Sequence, residues 1–320
     1  MQLHGLHHVT AVTGQIANNV NFYTQTLGLR LVKKSVNQDD VSAYHLFYAD
    51  KLGTPGTDMT FFDWPQTGPD RRGTDSIANT LFRVNGRAAL EYWLARFDEK
   101  GVKHDEIITF AGRDLLRFED PEGQRLTLVD DGGAPYEGEV WLGAGVPEEH
   151  AIRGFYGVML STPNLDYIHA VLAQVMEWQE TGRHTNAEGE TVVIHGMDGG
   201  GPGKEVWVVH QPGMRPAGLG GGGVHHVAFR ARDEEEQAYW RERLTNAGAG
   251  VSPFIDRYYF KSIYFRISNG ILFEIATDGP GFATDEPLET LGERLALPPF
   301  LEPRRAEIEA GLKPIAVEQG

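Results

Sequence analysis

Hydrophobic and polar positions follow two periods along the chain, and each period marks a type of element. Leu90, Trp93, Leu94 and Phe97 recur at i, i+3, i+4 and i+7 with Glu, Arg and Lys on the other face, which predicts an amphipathic helix. Gly101 sits where a left-handed cap would end that helix. Ser262-Ile263-Tyr264-Phe265-Arg266-Ile267 is instead rich in β-branched and aromatic residues and predicts a strand. Asn269-Gly270 then predicts a hairpin turn into Ile271-Leu272-Phe273-Glu274-Ile275.

The same order of elements returns. Ile77–Asp131 lies on Val224–Asp278 without a gap, at an offset of 224 − 77 = 147 residues. Phe82-Arg83 falls on Phe229-Arg230, Tyr92-Trp93 on Tyr239-Trp240, Gly101 on Gly248, and Gly123 on Gly270. Two more diverged copies begin at Gly5-Leu6-His7-His8-Val9 and Gly154-Phe155-Tyr156-Gly157-Val158, the first leading to a helix near Ile16 to Thr26. The chain therefore reads as an α+β protein of four βαβββ modules, near 3–65, 76–131, 152–210 and 223–278, arranged as two similar halves. A connector rich in Gly, Pro and acidic residues, Gly132 to Glu149, separates an expected domain at 1–135 from another at 150–278. A Pro- and Glu-rich tail follows at 279–320, with one helix expected near Pro303 to Gly311.

Composition narrows the function by exclusion. With 320 residues and 41% hydrophobic positions the chain can bury a large core. Its net charge of −16 argues against nucleic acid and anionic membrane surfaces, which call for a basic footprint. The absence of cysteine removes disulfides, thiolate metal sites and cysteine nucleophiles, so any metal must be held by nitrogen and oxygen, and 12 histidines leave that open. Met1 to Thr10 lacks the basic-then-apolar pattern of a targeting segment, and no run of about 18 apolar residues occurs. A cytoplasmic protein is the expectation.

The repeat also serves as an internal control for chemistry. His226 lies opposite Asn79, His225 opposite Ala78, Glu274 opposite Thr127, Arg257 opposite Phe110 and Tyr264 opposite Arg117. In modules one and three, His8 lies opposite Gly157 and His7 opposite Tyr156. The scaffold repeats, while these polar groups do not. Glu274 lies between Phe273 and Ile275 in a strand buried on at least one face, so its carboxylate needs a positive partner or a metal. Two histidines and a carboxylate from separate strands form the ligand set of a non-haem Fe(II) site with open positions. Strand alternation sends neighbours to opposite faces, so one histidine of each His-His pair is expected to reach a metal. His4, His45, His104, His150, His169, His184, His195 and His210 have no such support and read as structural or surface residues. Gly199 to Lys204 fails the phosphate-loop pattern, Gly220 to Gly223 reads as slack before a strand, and Asp233 to Glu236 as a helix N-terminus.

The four-module pattern with His on a first strand and Glu on a last strand resembles the vicinal oxygen chelate superfamily of glyoxalases, extradiol dioxygenases and antibiotic-binding proteins. Leu6-His7-His8-Val9-Thr10, Leu27 to Lys34, Pro55-Gly56 with Met59-Thr60-Phe61-Phe62, and Val224 to Phe229 resemble its hydroquinone-type ring-cleaving dioxygenase branch. Asp256-Arg257 through Arg266 and the tail Asp285-Glu286-Pro287 through Leu297-Pro298-Pro299 extend the resemblance over nearly the whole chain. It implies Fe(II) held by His8, His226 and Glu274, a set that Mn(II) also accepts, and hence pairing of modules one and four. It further implies His225 as an acid/base group, Arg257 stabilising anionic oxygen, Tyr264 hydrogen-bonding near the metal, and His7 and Thr10 orienting substrate. A hydroquinone-type or catechol-type aromatic and O2 are the implied substrates, and a dimer is the base-rate expectation. Two other readings stay open. A glyoxalase-like isomerase would need a fourth ligand from Met59-Thr60-Phe61-Phe62, which offers none although Asp58 and Asp63 flank it. A metal-free small-molecule-binding resistance protein would have no use for the triad.

Overall fold

The computed structural model describes residues 1–268 and 270–316, so the first residue of the turn expected at Asn269-Gly270 lies outside the described residues. Module one supplies β1 (Leu6–Thr13), α1 (Ile16–Asn21), β2 (Arg30–Asn37), β3 (Asp40–Ala49) and β4 (Asp58–Asp63), α1 running on into a wider π turn at Phe22–Thr26. Module two supplies β5 (Ser76–Val84), α2 (Gly86–Lys100), β6 (Ile108–Phe110), β7 (Arg113–Glu119) and β8 (Arg125–Asp130). Module three follows with β9 (Phe155–Thr162), α3 (Leu165–Ala170), β10 (Gln179–Thr185), β11 (Thr191–Gly196) and β12 (Glu205–His210). Module four consists of β13 (Val224–Ala231), α4 (Glu234–Asn246), β14 (Ile255–Asp256), β15 (Lys261–Arg266) and β16 (Leu272–Thr277).

Among the described residues these strands form two curled eight-stranded sheets, ordered β14-β15-β16-β13-β1-β4-β3-β2 and β10-β11-β12-β9-β5-β8-β7-β6. Each sheet takes one module from either side of the 132–149 connector, so the connector divides the sequence while the sheets cross it. The reason lies in the strand edges. The first strand of each module pairs parallel with its last, β1 with β4 and β13 with β16, leaving one open edge. Two such edges close antiparallel, β1 on β13 and β5 on β9, and both are removed from solvent.

Both seams are bulged. Leu6 faces Phe229 and His8 faces Ala228, so His7 is the extra residue on β1; Thr10 faces His226 and Ala11 faces Val224, so His225 is the extra residue on β13. The β5–β9 seam carries the same irregularities at Ala78 and Tyr156. The bulges thus belong to the scaffold, and histidine fills them in one sheet only.

Helices α2 and α4 bury Trp93, Phe97, Trp240 and Leu244 in the main core, as the 3.6-residue period requires. Gly101 closes α2 at φ 66°, and Asp233 caps α4 by accepting from the Glu235 and Glu236 backbone N–H groups. No helix among the described residues is long and apolar enough to cross a membrane.

The tail returns to module one, where α5 (Arg305–Gly311) packs Ile308 with Leu297 and Leu301 against Val36. Gly292 permits this approach: a Cβ there would lie 1.9 Å from the Leu31 carbonyl oxygen. Lys33, fully buried on β2, donates to Asp285 Oδ1 at 2.7 Å, to the Phe282 carbonyl at 3.1 Å and to Glu286, and lies over the Tyr259 ring. Breaking a buried pair strands the remaining charges, so Lys33→Met is expected to cost about 3–5 kcal/mol. A lower Tm, with proteolysis starting in the 279–316 tail, checks this.

Candidate metal centre

Three adjacent strands carry the centre. Ala228 on β13 lies opposite His8 on β1 and opposite Glu274 on β16, and His226 precedes it by two residues on the same strand. The period of two therefore aims all three side chains at one face, with a single methyl group between them. His8 Nε2 is 3.3 Å from His226 Nε2 and 3.2 Å from Glu274 Oε2, and His226 Nε2 is 3.0 Å from that same oxygen. Such edges match donors ranged about one ion at roughly 2.1 Å from each. All three residues are buried, and they are the only group of at least three possible ligands among the described residues. A buried carboxylate beside two converging imidazole nitrogens is electrostatically incomplete without a cation. The residues present therefore fit a divalent metal.

Protonation suits that role. Burial alone would push the Glu274 carboxyl up, but His8 and His226 outweigh it and hold it well below the usual carboxylate range. Burial holds His226 below the usual imidazole value. Ionised carboxylate and neutral imidazole are the forms that bind metal. Ser262 on β15, fully buried, donates to Glu274 Oε1 at 2.5 Å and leaves Oε2 for the centre. Ser262→Ala is expected to weaken metal binding about 10–100-fold, the usual cost of an outer partner, with the sheet intact. Chelator competition monitored by metal content, with circular dichroism for the fold, tests this.

The bulges change the expected geometry of the His-His pairs. Neighbours do not point to opposite faces; each extra histidine turns back beside its partner. His7 Nδ1 lies 3.0 Å from His8 Nδ1, and His225 Nδ1 lies 2.7 Å from His226 Nδ1. His7 Nε2–H donates to the Thr277 carbonyl at 3.1 Å, so His7 Nδ1 accepts from His8 Nδ1–H and His8 Nε2 keeps its lone pair. A His226 Nε2 that keeps its lone pair for a metal puts the His226 proton on Nδ1, facing His225 Nδ1 at 2.7 Å, and the neutral His225 ring then carries its own proton on Nε2. Burial and His8 keep His7 neutral, and burial with His226 brings His225 down to about 3. One histidine of each pair thus offers a nitrogen to the donor group and the other packs beside it.

A cavity of about 250 Å³ opens onto the centre and is lined by His8, His225, His226, Arg257 and Tyr264 of the expected residues. His7 and Thr10 lie behind its wall rather than on it. Both His7 nitrogens are engaged, and Thr10 Oγ1 meets Thr60 Oγ1 at 2.8 Å. Thr60 in turn meets His45 Nε2 at 3.0 Å, and His45 does line the cavity, its ring tilted against Phe47 and Phe62 with centroids 4.0 and 4.5 Å away. Sequence reasoning missed His45, for which the diverged third module supplies no ungapped control. It also missed Ser262, whose partner in the repeat is Leu115 (262 − 147 = 115), a signal of the kind that marks Glu274. Arg257 does not pair with its neighbour Asp256. Its guanidinium forks onto Asp39 at 3.2 and 3.0 Å across the cavity mouth and donates from Nε to the Tyr264 hydroxyl at 3.3 Å. Burial, reinforced by Glu274, raises the Tyr264 pKa, so the phenol keeps its proton.

Known proteins share this architecture. The sequence profile of the glyoxalase/bleomycin resistance protein/dioxygenase superfamily matches residues 5–128. The chain is 47% identical over 316 residues to the Bacillus subtilis protein named "Putative ring-cleaving dioxygenase MhqA", covering 98% of this chain and 100% of that one. It is 32% identical over 317 residues to the chlorohydroquinone/hydroquinone 1,2-dioxygenase of Sphingobium indicum, covering 96% and 95%. The crystal structure of a "putative dioxygenase" from Bacillus subtilis superposes with a TM-score of 0.92 at 37% identity, covering 100% of this chain and 99% of that one. The chain belongs to the glyoxalase/bleomycin resistance protein/dioxygenase superfamily, in the branch of these ring-cleaving dioxygenase relatives.

Proposed function

We propose that this chain is an Fe(II)-dependent ring-cleaving dioxygenase that inserts both atoms of O2 into a hydroquinone-type or catechol-type aromatic. The observation that carries the proposal is the convergence of two imidazole nitrogens and one carboxylate oxygen, 3.0–3.3 Å apart, with both imidazoles on the wall of an aromatic-lined cavity. The names of the two relatives support it, one of them for hydroquinones. Mn(II) fits the same donors.

A bound ferrous ion supplies Lewis acidity toward a phenolic oxygen and an electron path between ring and dioxygen, with positions left open by a three-residue set. The residues around it do the rest. Phe62 and Trp64, stacked 5.9 Å apart, form a flat wall with His225 set edge-on to both, which suits a planar ring and keeps water from its faces. His225 holds a proton at Nε2, where it can donate to a substrate oxygen and move that proton as the oxygen's charge changes. Tyr264 accepts from Arg257 and, with its ring edge-on to His226, keeps a protonated phenol at the cavity. Arg257, pinned by Asp39, brings positive charge to the side where anionic oxygen develops. His7 and Thr10 act from behind, His7 by setting the His8 tautomer and Thr10 by holding Thr60 under His45.

An isomerase of glyoxalase type would draw a fourth ligand from β4. Thr60 is engaged with Thr10 and His45, and neither Asp58 nor Asp63 belongs to the donor group. The test is to load the protein anaerobically with Fe(II), add hydroquinone, methylhydroquinone or catechol, and follow O2 uptake and a ring-opened chromophore. Consumption of O2 with at least one of them is expected. Isomerisation of a thiol adduct without O2 uptake would overturn the proposal in favour of a glyoxalase, and tight binding without turnover or metal in favour of a binding protein.

A further inference from the structure

The second sheet holds a cavity of about 230 Å³ where the first sheet holds the one at the metal centre. The repeat replaces every donor there: Gly157 stands for His8, Asn79 for His226 and Thr127 for Glu274, and Thr127 Oγ1 donates to Asn79 Oδ1 at 3.2 Å. The ligands are gone, yet the space has not been filled. Its floor is apolar, with Leu81, Leu115 and Trp207 buried beneath it and Phe110 at the side.

Charge is arranged against this floor in an unusual way. Arg117 on β7 lies opposite Thr127 on β8, and Arg125 lies two residues before Thr127, so both guanidiniums line the same cavity. Among the described residues, neither side chain makes a hydrogen bond or an ion pair. Glu119, across from Arg125, is taken by Arg72 and Lys103 at 2.9 Å each. Asp70 acts on Arg125 only from beyond ion-pair distance, and burial lowers the Arg125 pKa. Two carboxylates border the space. Glu190 already accepts from Gln211 and Asn186 amides at 2.8 Å each, and Glu188 is exposed at the rim. Neither carboxylate pairs with a guanidinium, so Arg117 and Arg125 lack an ion-pair partner although the lining is formally neutral. Half-buried guanidiniums without partners beside an aromatic floor call for a flat organic anion, because a planar fork matches a carboxylate and an apolar wall matches a ring.

We propose that this second cavity binds a small aromatic monocarboxylate, its carboxylate on Arg117 and Arg125 and its ring against Leu115 and Trp207. The site is separate from the metal centre and does not depend on what that centre catalyses.

The probe is 4-bromobenzoate with the full-length, Fe(II)-loaded protein. Anomalous scattering from soaked crystals should place bromine over Leu115 and Trp207, whether or not a second peak lies near the metal. In calorimetric titration of the same protein, Arg117→Met and Arg125→Met should each weaken that binding at least 10-fold. The two variants guard against a folding defect in either, and thermal unfolding checks both. 4-Bromobenzyl alcohol, of the same shape without the charge, should bind at least 10-fold more weakly. Bromine found nowhere or only beside His226, equal binding in both variants, or equal binding of the alcohol would overturn the proposal. Inorganic phosphate binding as tightly as 4-bromobenzoate would do so too, since the cavity would then select charge without the ring.

Discussion

Glu274→Ala is expected to remove the metal from the protein and abolish turnover while the sheets persist. Losing a partner outside the ligand set costs about 10–100-fold in metal affinity, so losing one of three ligands should exceed about 100-fold. The variant also deletes the one formal negative charge of the centre, leaving two neutral imidazoles to hold a divalent ion. Folding should suffer less, because without metal the carboxylate is itself a buried charge that the core must tolerate. Ser262 would lose its acceptor, at about 1–3 kcal/mol. Metal content after gel filtration is one readout. A second is thermal unfolding with added Fe(II): the wild type should gain about 2.7 kcal/mol at a hundredfold excess over Kd, and Glu274→Ala nothing. Thr127→Ala, the same position in the repeat, should keep its iron. Full iron in Glu274→Ala would sink the ligand assignment.

The contrast between Glu274 and Thr127 also shows how much was legible in the sequence. Repetition carried the four modules, because Trp93 and Trp240 fill equivalent places under the sheets and tolerate little change. Departure from repetition pointed to the three residues that converge, since a polar group that its own duplicate lacks is not needed for folding. Pairing across the chain was less accessible. Nothing in the periodicity of β1 says that its open edge will meet β13 rather than β5, and only the implied ligand set pointed to modules one and four. The bulges at His7 and His225 were invisible for a simpler reason. A period of two is all that a strand pattern displays, and an inserted residue changes which face a side chain takes without changing its hydrophobicity. The contacts of the tail were equally hidden. Lys33 reads as an ordinary surface charge, and only the return of Asp285 and Glu286 from some 250 positions later, at separations of 252 and 253, buries it.

The bulge recurs at Ala78 and Tyr156, in the sheet that lacks the donor group. The irregularity does not depend on the histidines: it turns one residue of each first strand inward in both sheets, and only in the first sheet is that residue a histidine beside a candidate ligand. The second sheet has the bulges and a cavity without the donors.

His225 is the bulge residue with the most to lose. In the tautomer that a ligating His226 Nε2 requires, it does two things at once: its Nδ1, 2.7 Å from His226 Nδ1, accepts, and its Nε2 carries a proton at the cavity wall. His225→Ala removes both, and kcat is expected to fall about 10²–10⁴-fold, the usual span for a positioned proton-transfer group. Metal affinity should fall no more than about 10–100-fold, the range for an outer partner. His225→Asn separates the two roles. Its amide oxygen can take over the bond from His226 and recover most of the metal affinity, but no ring nitrogen is left to hold the proton, so turnover should stay low. Initial rates of O2 uptake at saturating Fe(II) and aromatic substrate, set beside metal content, measure both effects. If His225→Ala kept more than a tenth of the wild-type kcat when fully loaded with iron, the proton would have to come from elsewhere. Tyr264, whose phenol stays protonated and whose ring lies edge-on to His226, would then be the group to test.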